Sequence, residues 1–258
     1  MKVYVITHKP YKSKVRKNDI YSDLLVGAET NTTSLVSKDI LKDDNGENIS
    51  NKNKSFCELT GLYWMWKNST EDIIGLEHYR RYLVKDKKTK ELLDKNTIQK
   101  DLQSYDIILP QPLIYGEKLS AGKTAARYFG DCHDPLVWTL CRDIIADDYS
   151  DYLQDFDWFS YQLQGYCFNM FIANKNIIDE YCKWLFPILF DLESKMDISK
   201  YDSYNQRMFG FVSERLLNVW LHHNNLTIKE YPVYMTEEPN LFQKVFQKVK
   251  NRVGKLLN

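Results

Sequence analysis

The sequence lacks the features that mark several classes of protein. Its 258 residues include no apolar run near the roughly 20 residues that cross a bilayer, so we expect no transmembrane helix. The five cysteines are odd in number and form no C-x-x-C pair; they indicate neither a disulfide framework nor a zinc site, and we interpret them as reduced packing residues. Basic and acidic residues both number 35, and this zero net charge gives no global field for nucleic acid, which we do not expect as a partner.

The first residues also lack the pattern of a secretory signal. The apolar run at 3–6 is short and leads directly into His8 and Lys9. Together with a mean hydropathy of -0.50, this predicts a cytoplasmic protein. Aromatic residues, at 14%, are the one compositional excess, and they are typical both of ligand-binding clefts and of large cores.

Strand patterns alternate with helical patterns along the chain. Short runs rich in β-branched and aromatic residues predict strands at 3–6, 72–76, 105–110 and 166–172. Apolar residues repeated every three or four positions predict helices at 55–68, 95–103, 135–149, from about 177, and at 205–222. This alternation predicts an α/β fold with a mainly parallel sheet flanked by helices, in a single domain over 1–238.

Three local patterns refine the predicted helices. Ser55 and Glu58 match a capping box, in which each side chain satisfies a backbone donor at a helix start. Asp134 followed by Pro135 is typical of a helix N-cap and first helical position. Pro187 is expected to kink or end the helix that begins near 177, because proline has no amide hydrogen.

A polar cluster follows the second predicted strand directly. In open α/β sheets, ligands bind beyond the carboxyl ends of the strands, so a polar cluster there has a functional reason. Arg80 and Arg81 could hold a diphosphate through charge-assisted hydrogen bonds. His78 or Glu77 could orient a ribose, bind a metal or donate a proton to a leaving phosphate. The alternative is a pair of surface arginines beside a satisfied histidine, and the spacing alone leaves both open.

Five blocks of the sequence, in order, resemble a known family. They read SFCELTGLYWMWKN at 55–68, GLEHYRRY at 75–82, NMFI at 169–172, YCKWLFP at 181–187 and FGFVSERLLNVW at 209–220. The blocks resemble a bacterial family of capsule and exopolysaccharide synthesis that is catalogued as a domain of unknown function. Ordered blocks of this length are far more specific than one short motif. The family is similar to glycosyltransferases of the GT-A fold.

The resemblance implies a GT-A-like, Rossmann-type fold and an enzyme. The implied reaction moves a hexose from a UDP-sugar donor to a capsular polysaccharide, exopolysaccharide or lipid-linked glycan acceptor. Members of the family are linked to galactosyl transfer, including the furanose form, so a UDP-galactose type of donor is expected. The alternative is a non-catalytic subunit of a polysaccharide assembly complex that binds a glycan or a nucleotide without turnover.

The resemblance also assigns roles to residues. An inverting reaction needs a carboxylate base near the acceptor hydroxyl, and Glu214, near the start of the last core helix, is the candidate, with His78 as a second catalytic residue. The alternative for Glu214 is an ion pair with Arg215 or Arg207. We expect the donor to be bound by Thr7, His8, Glu77, Tyr79, Arg80 and Arg81. We expect the acceptor to contact Asp131, His133 and Asn169.

The sequence leaves metal dependence open. GT-A enzymes usually place Asp-x-Asp after a central strand to hold a divalent cation against the diphosphate, whereas this sequence has 77–79 as Glu-His-Tyr. The neighbouring arginines could neutralise the leaving group without an ion, so Mn²⁺ or Mg²⁺ is one of two alternatives. A literal Asp-x-Asp occurs at 155–157 with no predicted strand before it. We interpret it as a solvated turn, with metal binding as the alternative.

The segment 239–258 has the pattern of a basic amphipathic helix. Its apolar residues recur at helical spacing, and its charged residues are all basic: Lys244, Lys248, Lys250, Arg252 and Lys255. Such a helix can lie on anionic lipid, which predicts peripheral contact with the inner face of the plasma membrane. The alternative is a terminal helix docked on its own domain.

Overall fold

A computed structural model describes residues 1–31, 40–116 and 122–237 of the chain. The strands within these ranges are β1 (Lys2–Thr7), β2 (Tyr21–Leu25), β3 (Leu41–Lys42), β4 (Ile73–His78), β5 (Arg81–Leu83), β6 (Ile107–Pro110), β7 (Leu113–Ile114), β8 (Gln164–Gly165), β9 (Phe171–Asn174), β10 (Ile228–Tyr231) and β11 (Val233–Met235). The helices are α1 (Asn53–Phe56), α2 (Leu59–Asn68), α3 (Lys95–Asp101), α4 (Ala125–Cys132), α5 (Pro135–Asp148), α6 (Leu153–Ser160), α7 (Lys175–Ser194) and α8 (Met208–His223). The predicted amphipathic segment at 239–258 lies outside the described residues.

The central sheet is mainly parallel, as predicted, and has the order β10-β6-β9-β4-β1-β2-β3. Strand β1 pairs in parallel with both β2 and β4, and β6 pairs in parallel with β10. Strand β9 is antiparallel to its neighbours β4 and β6. Strands β5 and β11 form an antiparallel extension beyond β4. In the described part of the chain, no helix is both long and apolar enough to cross a membrane.

Two apolar cores lie on opposite faces of the sheet. Successive side chains of a strand point to opposite faces, so Tyr4 and Ile6 of β1 join one core and Val3 and Val5 join the other. The first core also receives the buried faces of α2, α5, α7 and α8. Full burial of one large apolar side chain contributes about 1.5–3 kcal/mol, so this two-sided packing fixes the strands strongly.

The Ser55–Glu58 pattern does not cap a helix, so that prediction is wrong. Helix α1 ends before Cys57, whose φ is 52°, and α2 begins immediately after Glu58. The Glu58 side chain makes no capping hydrogen bond, and Ser55 donates instead to the carbonyl of Lys52 at 3.3 Å. The left-handed residue divides the predicted helix in two and leaves the Glu58 carboxylate available for other contacts.

The Asp134 cap is confirmed by its 2.9 Å bond from the Leu136 amide. Of the two outcomes predicted for Pro187, an end of the helix is wrong, because α7 runs through it; the proline is exposed, where water can satisfy the carbonyl it leaves unpaired. The fourth strand begins only at Phe171, because the two residues at 168–169 have positive φ.

Candidate active site

A pocket of about 640 Å³ opens at the carboxyl ends of β1 and β4. The two strands are adjacent and parallel, so the residues that follow them meet at one edge of the sheet. The corner between α1 and α2 and the start of α8 form the opposite wall. The pocket brings together six of the residues predicted from the sequence: His8, His78, Tyr79, Arg80, Arg81 and Glu214.

Thr7 and Glu77, both predicted to bind the donor, do not line this pocket. Each directly precedes a pocket-lining histidine in the sequence, and successive side chains along extended backbone face opposite ways. Thr7 is buried and donates to the carbonyl of Lys9 at 2.6 Å. Glu77 is fully buried on the other face of the sheet, where burial raises its pKa and Lys17 opposes that shift.

The wall formed by the two strand ends is basic. Two cations lie near the ring of Tyr79: the Lys9 ammonium, 5.6 Å from its centroid, and the Arg80 guanidinium, at 5.1 Å. The His8 ring packs edge-on against the same ring at 5.6 Å. Burial lowers the pKa of His8, and the nearby positive charges lower it further. A ligand that fits this wall is an anion.

Two hydrogen-bond donors of this wall have no partner among the described residues. They are the Nε of Arg81 and the hydroxyl of Tyr79, and both atoms are buried. The Arg81 guanidinium also lies 4.6 Å from the ring centroid of Phe168. A buried donor without a partner costs about 1–3 kcal/mol, so both groups would gain from a partner that accepts a hydrogen bond.

The His78 ring is fixed by a hydrogen bond to the backbone. Its Nε2 lies 2.6 Å from the carbonyl oxygen of Phe168, and because a carbonyl only accepts, this nitrogen carries the hydrogen. Burial lowers the pKa of His78, and Arg81 and Arg80 lower it further, whereas Glu58 opposes the shift. The ring therefore connects the turn after β4 to the segment before β9.

Two carboxylates face the basic wall, Glu214 and Glu58. An Oε of Glu214 accepts from Arg215 at 2.7 Å, and the Arg215 side chain is 8% exposed. Burial raises the pKa of Glu214, the charge of Glu58 raises it further, and Arg215 lowers it. Glu58 accepts instead from the Nδ2 of Asn169 at 2.7 Å. The ion pair that the sequence offered as the alternative for Glu214 is thus present.

None of the three predicted acceptor residues lines the pocket. Asp131 forms ion pairs with Lys123 and Arg127. Asn169 lies behind Glu58, and His133 stacks on Phe211 with 4.3 Å between the ring centroids. His133 and Asn169 therefore support residues that do face the pocket.

The described residues form no site that would hold a divalent cation by protein ligands alone. Among them, no group of three or more His, Cys, Asp or Glu side chains is placed to hold a metal ion. The Asp-x-Asp at 155–157 lies in helix α6 and not in a turn, because its neighbours Phe156 and Phe159 are buried at helical spacing. Asp155 contacts both His222 and His223, and Asp157 accepts two 2.7 Å bonds from Arg142, so both aspartates are engaged in structural pairs.

Comparisons with known proteins agree with this architecture. A profile described as "Domain of unknown function (DUF4422)" matches residues 2–225. The chain belongs to this family. Among solved structures, the WbbM bifunctional glycosyltransferase in its apo form is similar over 92% of this chain, with a TM-score of 0.80 and 28% sequence identity. The chain spans 45% of that protein's length, and no curated protein matches it.

The structural match confirms the GT-A-like α/β fold predicted for this DUF4422 domain and a relation of the family to glycosyltransferases. Sequence reasoning missed much of the pocket wall, and the residues that matter most among those missed are Glu58, Tyr204, Arg207 and Phe211. Glu58 and Phe211 lie in blocks that carry the family resemblance, and that resemblance is the signal by which the sequence could have marked them. The capping-box spacing concealed Glu58, and nothing local marks a residue at 204 or 207 as facing the end of β4.

The buried histidines make the stability of the domain depend on pH. Burial lowers the pKa of both His78 and His133 from the usual 6.5. At pH values between the lowered pKa values and 6.5, the unfolded chain binds more protons than the folded one. The free energy of unfolding is therefore highest above pH 6.5 and falls as the pH is lowered. Each histidine contributes a slope of at most about 1.4 kcal/mol per pH unit.

We predict that His78→Gln reduces this slope. Glutamine can still donate to the Phe168 carbonyl but does not titrate, so the variant removes the proton uptake and keeps the contact. Urea unfolding of wild type and variant between about pH 5 and pH 7.5 measures the two slopes. Parallel curves for the two proteins would contradict the burial of a neutral His78.

Proposed function

We propose that this protein is a glycosyltransferase that moves a hexose from a UDP-sugar to a glycan acceptor. The observation that carries the proposal is the meeting of basic groups and carboxylates in one pocket at the carboxyl ends of β1 and β4. An activated sugar needs both, because its diphosphate leaves as an anion while the acceptor hydroxyl loses a proton. The similarity to WbbM, a bifunctional glycosyltransferase, supports this chemistry.

In this proposal the diphosphate binds to the basic wall. Arg80 is 38% exposed and its ion pair with Glu237 is long, at 3.7 Å, so its guanidinium can turn to a ligand at little cost. Arg81 and Tyr79 would supply the two donors that otherwise lack partners. Guanidinium groups stabilise the negative charge that grows on the leaving diphosphate, and no step requires a metal ion.

The acceptor sugar would bind to the aromatic part of the opposite wall. Tyr204 is 53% exposed, and its ring packs against Phe211 with 5.0 Å between centroids. His133 stacks behind both rings and holds them in place. Aromatic faces bind the apolar faces of sugar rings. For the donor, the hexose that we propose is galactose, as pyranose or furanose. A capsular, exopolysaccharide or lipid-linked glycan is the proposed acceptor.

A screen of UDP-sugars tests the function. The full chain is incubated with UDP-galactose, UDP-galactofuranose and UDP-glucose, each with a glycan acceptor, and released UDP is measured with Mn²⁺ and with a chelator. We expect release from a galactose-type donor in both conditions. Binding of UDP without release from any donor would instead support a non-catalytic subunit.

Removal of one arginine tests the position of the diphosphate. We predict that Arg81→Ala weakens UDP binding by about 1–3 kcal/mol, a rise of about 5- to 150-fold in Kd, because a charge-assisted hydrogen bond is lost. Arg142→Ala, which removes an arginine paired with Asp157 away from the pocket, is the matched control. Equal affinity of Arg81→Ala and wild type in calorimetric titration would rule out this diphosphate site.

The basic segment at 239–258 is proposed to hold the enzyme at an anionic membrane. Each of its basic residues contributes about 1 kcal/mol near such a surface. We predict that a chain ending at 238 loses flotation with vesicles containing phosphatidylserine and keeps UDP binding. Flotation equal to that of the full chain would defeat this proposal.

A further inference from the structure

Glu58 lies in the pocket wall because the backbone changes direction beside it. Cys57 has a φ of 52°, which ends α1, and Glu58 occupies the N-cap position of α2 without capping it. The ring of Phe56 packs against that of Phe209 with 4.7 Å between centroids, and both are fully buried. The corner that carries Glu58 is therefore fixed against the start of α8.

Asn169 fixes the Glu58 carboxylate. Its Nδ2 donates to Oε1 of Glu58 at 2.7 Å and to the carbonyl of Gly210 at 3.1 Å. Its Oδ1 lies 3.1 Å from the hydroxyl of Ser213, and its orientation follows from Nδ2, because both oxygens that face Nδ2 can only accept. Phe168 and Asn169 have φ values of 78° and 50°; asparagine adopts this region more readily than most residues, whereas it is costly for phenylalanine.

The other oxygen of Glu58 is available for chemistry. Within the described residues, Oε2 has no hydrogen-bond partner, and Glu58 forms no ion pair. Glu214 differs, because it is in contact with the buried guanidinium of Arg215 at 2.7 Å. Arg215 thus occupies an oxygen of Glu214, whereas Oε2 of Glu58 is not occupied, so the two carboxylates of the pocket are not equivalent.

The geometry points to Glu58, positioned by Asn169, as the general base of the proposed reaction. This inference rests on the proposed function. The hydroxyl oxygen of the acceptor bonds to the anomeric carbon, and the bond from that carbon to the phosphate oxygen breaks with its electron pair leaving on UDP. The proton of the hydroxyl passes to Oε2 of Glu58 and then to water. Glu214 and Arg215 hold the wall beside it.

Carboxylate-to-amide variants test the assignment in the full chain. In Glu58→Gln the amide oxygen can still accept from Asn169, but the basic oxygen is gone. We expect the rate of transfer to an acceptor to fall by about 10²- to 10⁴-fold while the Kd for UDP stays within about twofold. Glu180→Gln, on the exposed face of α7, is the matched control, and Glu214→Gln is measured in parallel. Glu58→Asp is a second variant for the case that Glu58→Gln fails to fold, because it keeps the charge but shortens the side chain.

Azide provides a readout that a structural role would not change. It is already an anion and attacks the anomeric carbon without losing a proton, so the reaction forms a glycosyl azide and UDP without a base. We expect Glu58→Gln and wild type to release UDP at similar rates with azide in place of the acceptor. That recovery would show that only proton transfer had been lost.

The other outcomes overturn the assignment in distinguishable ways. Glu58 is not the base if Glu58→Gln transfers to the acceptor at the wild-type rate. The same holds if Glu214→Gln instead loses transfer activity that azide restores. Either result would leave the proposed function intact. Loss of both the acceptor and the azide reactions in Glu58→Gln would mean that Glu58 serves donor binding or folding. No turnover by wild type with any donor would overturn the proposed function and the base together.

Discussion

The parallel pairing of β1 with β4 is the interaction on which the site depends. Its register places Ile6 beside His78, and the amide of Tyr79 donates to the Ile6 carbonyl at 3.1 Å, so the turn after β4 is held at the end of β1. A slip of one residue would turn Glu77 toward the pocket and His78 away from it. The register is secured because both faces of these strands are buried in apolar cores.

The chain leaves regular geometry at the points where the pocket needs a side chain. Cys57, Phe168 and Asn169 all have positive φ, and all three lie in or directly behind the wall that carries Glu58. Each such residue costs of order 1–3 kcal/mol, which the packing of α1, α2 and α8 around the corner offsets. Local stability is thus reduced at the site in exchange for two fixed carboxylates that face a basic wall.

The sequence predicts the fold much better than it predicts the site. Local patterns were sufficient for the alternation of strands and helices and for the Asp134 cap, because neighbours in sequence determine them. The site depends on contacts between distant residues: Glu58 and Asn169 are 111 positions apart. The sequence pattern predicts the end of β4 two residues too early, which places Glu77 in the pocket, and no composition rule signals left-handed φ at Phe168.

The central claim is that the basic groups after β1 and β4 bind the diphosphate of an activated sugar whose anomeric carbon faces the carboxylates. A crystal structure with a non-hydrolysable UDP-sugar tests it most directly. The account predicts diphosphate oxygens within about 3 Å of the Arg80 or Arg81 guanidinium and the sugar on the side of Glu58. A nucleotide bound elsewhere, for example in the cleft between Thr70 and Asp179, would contradict it.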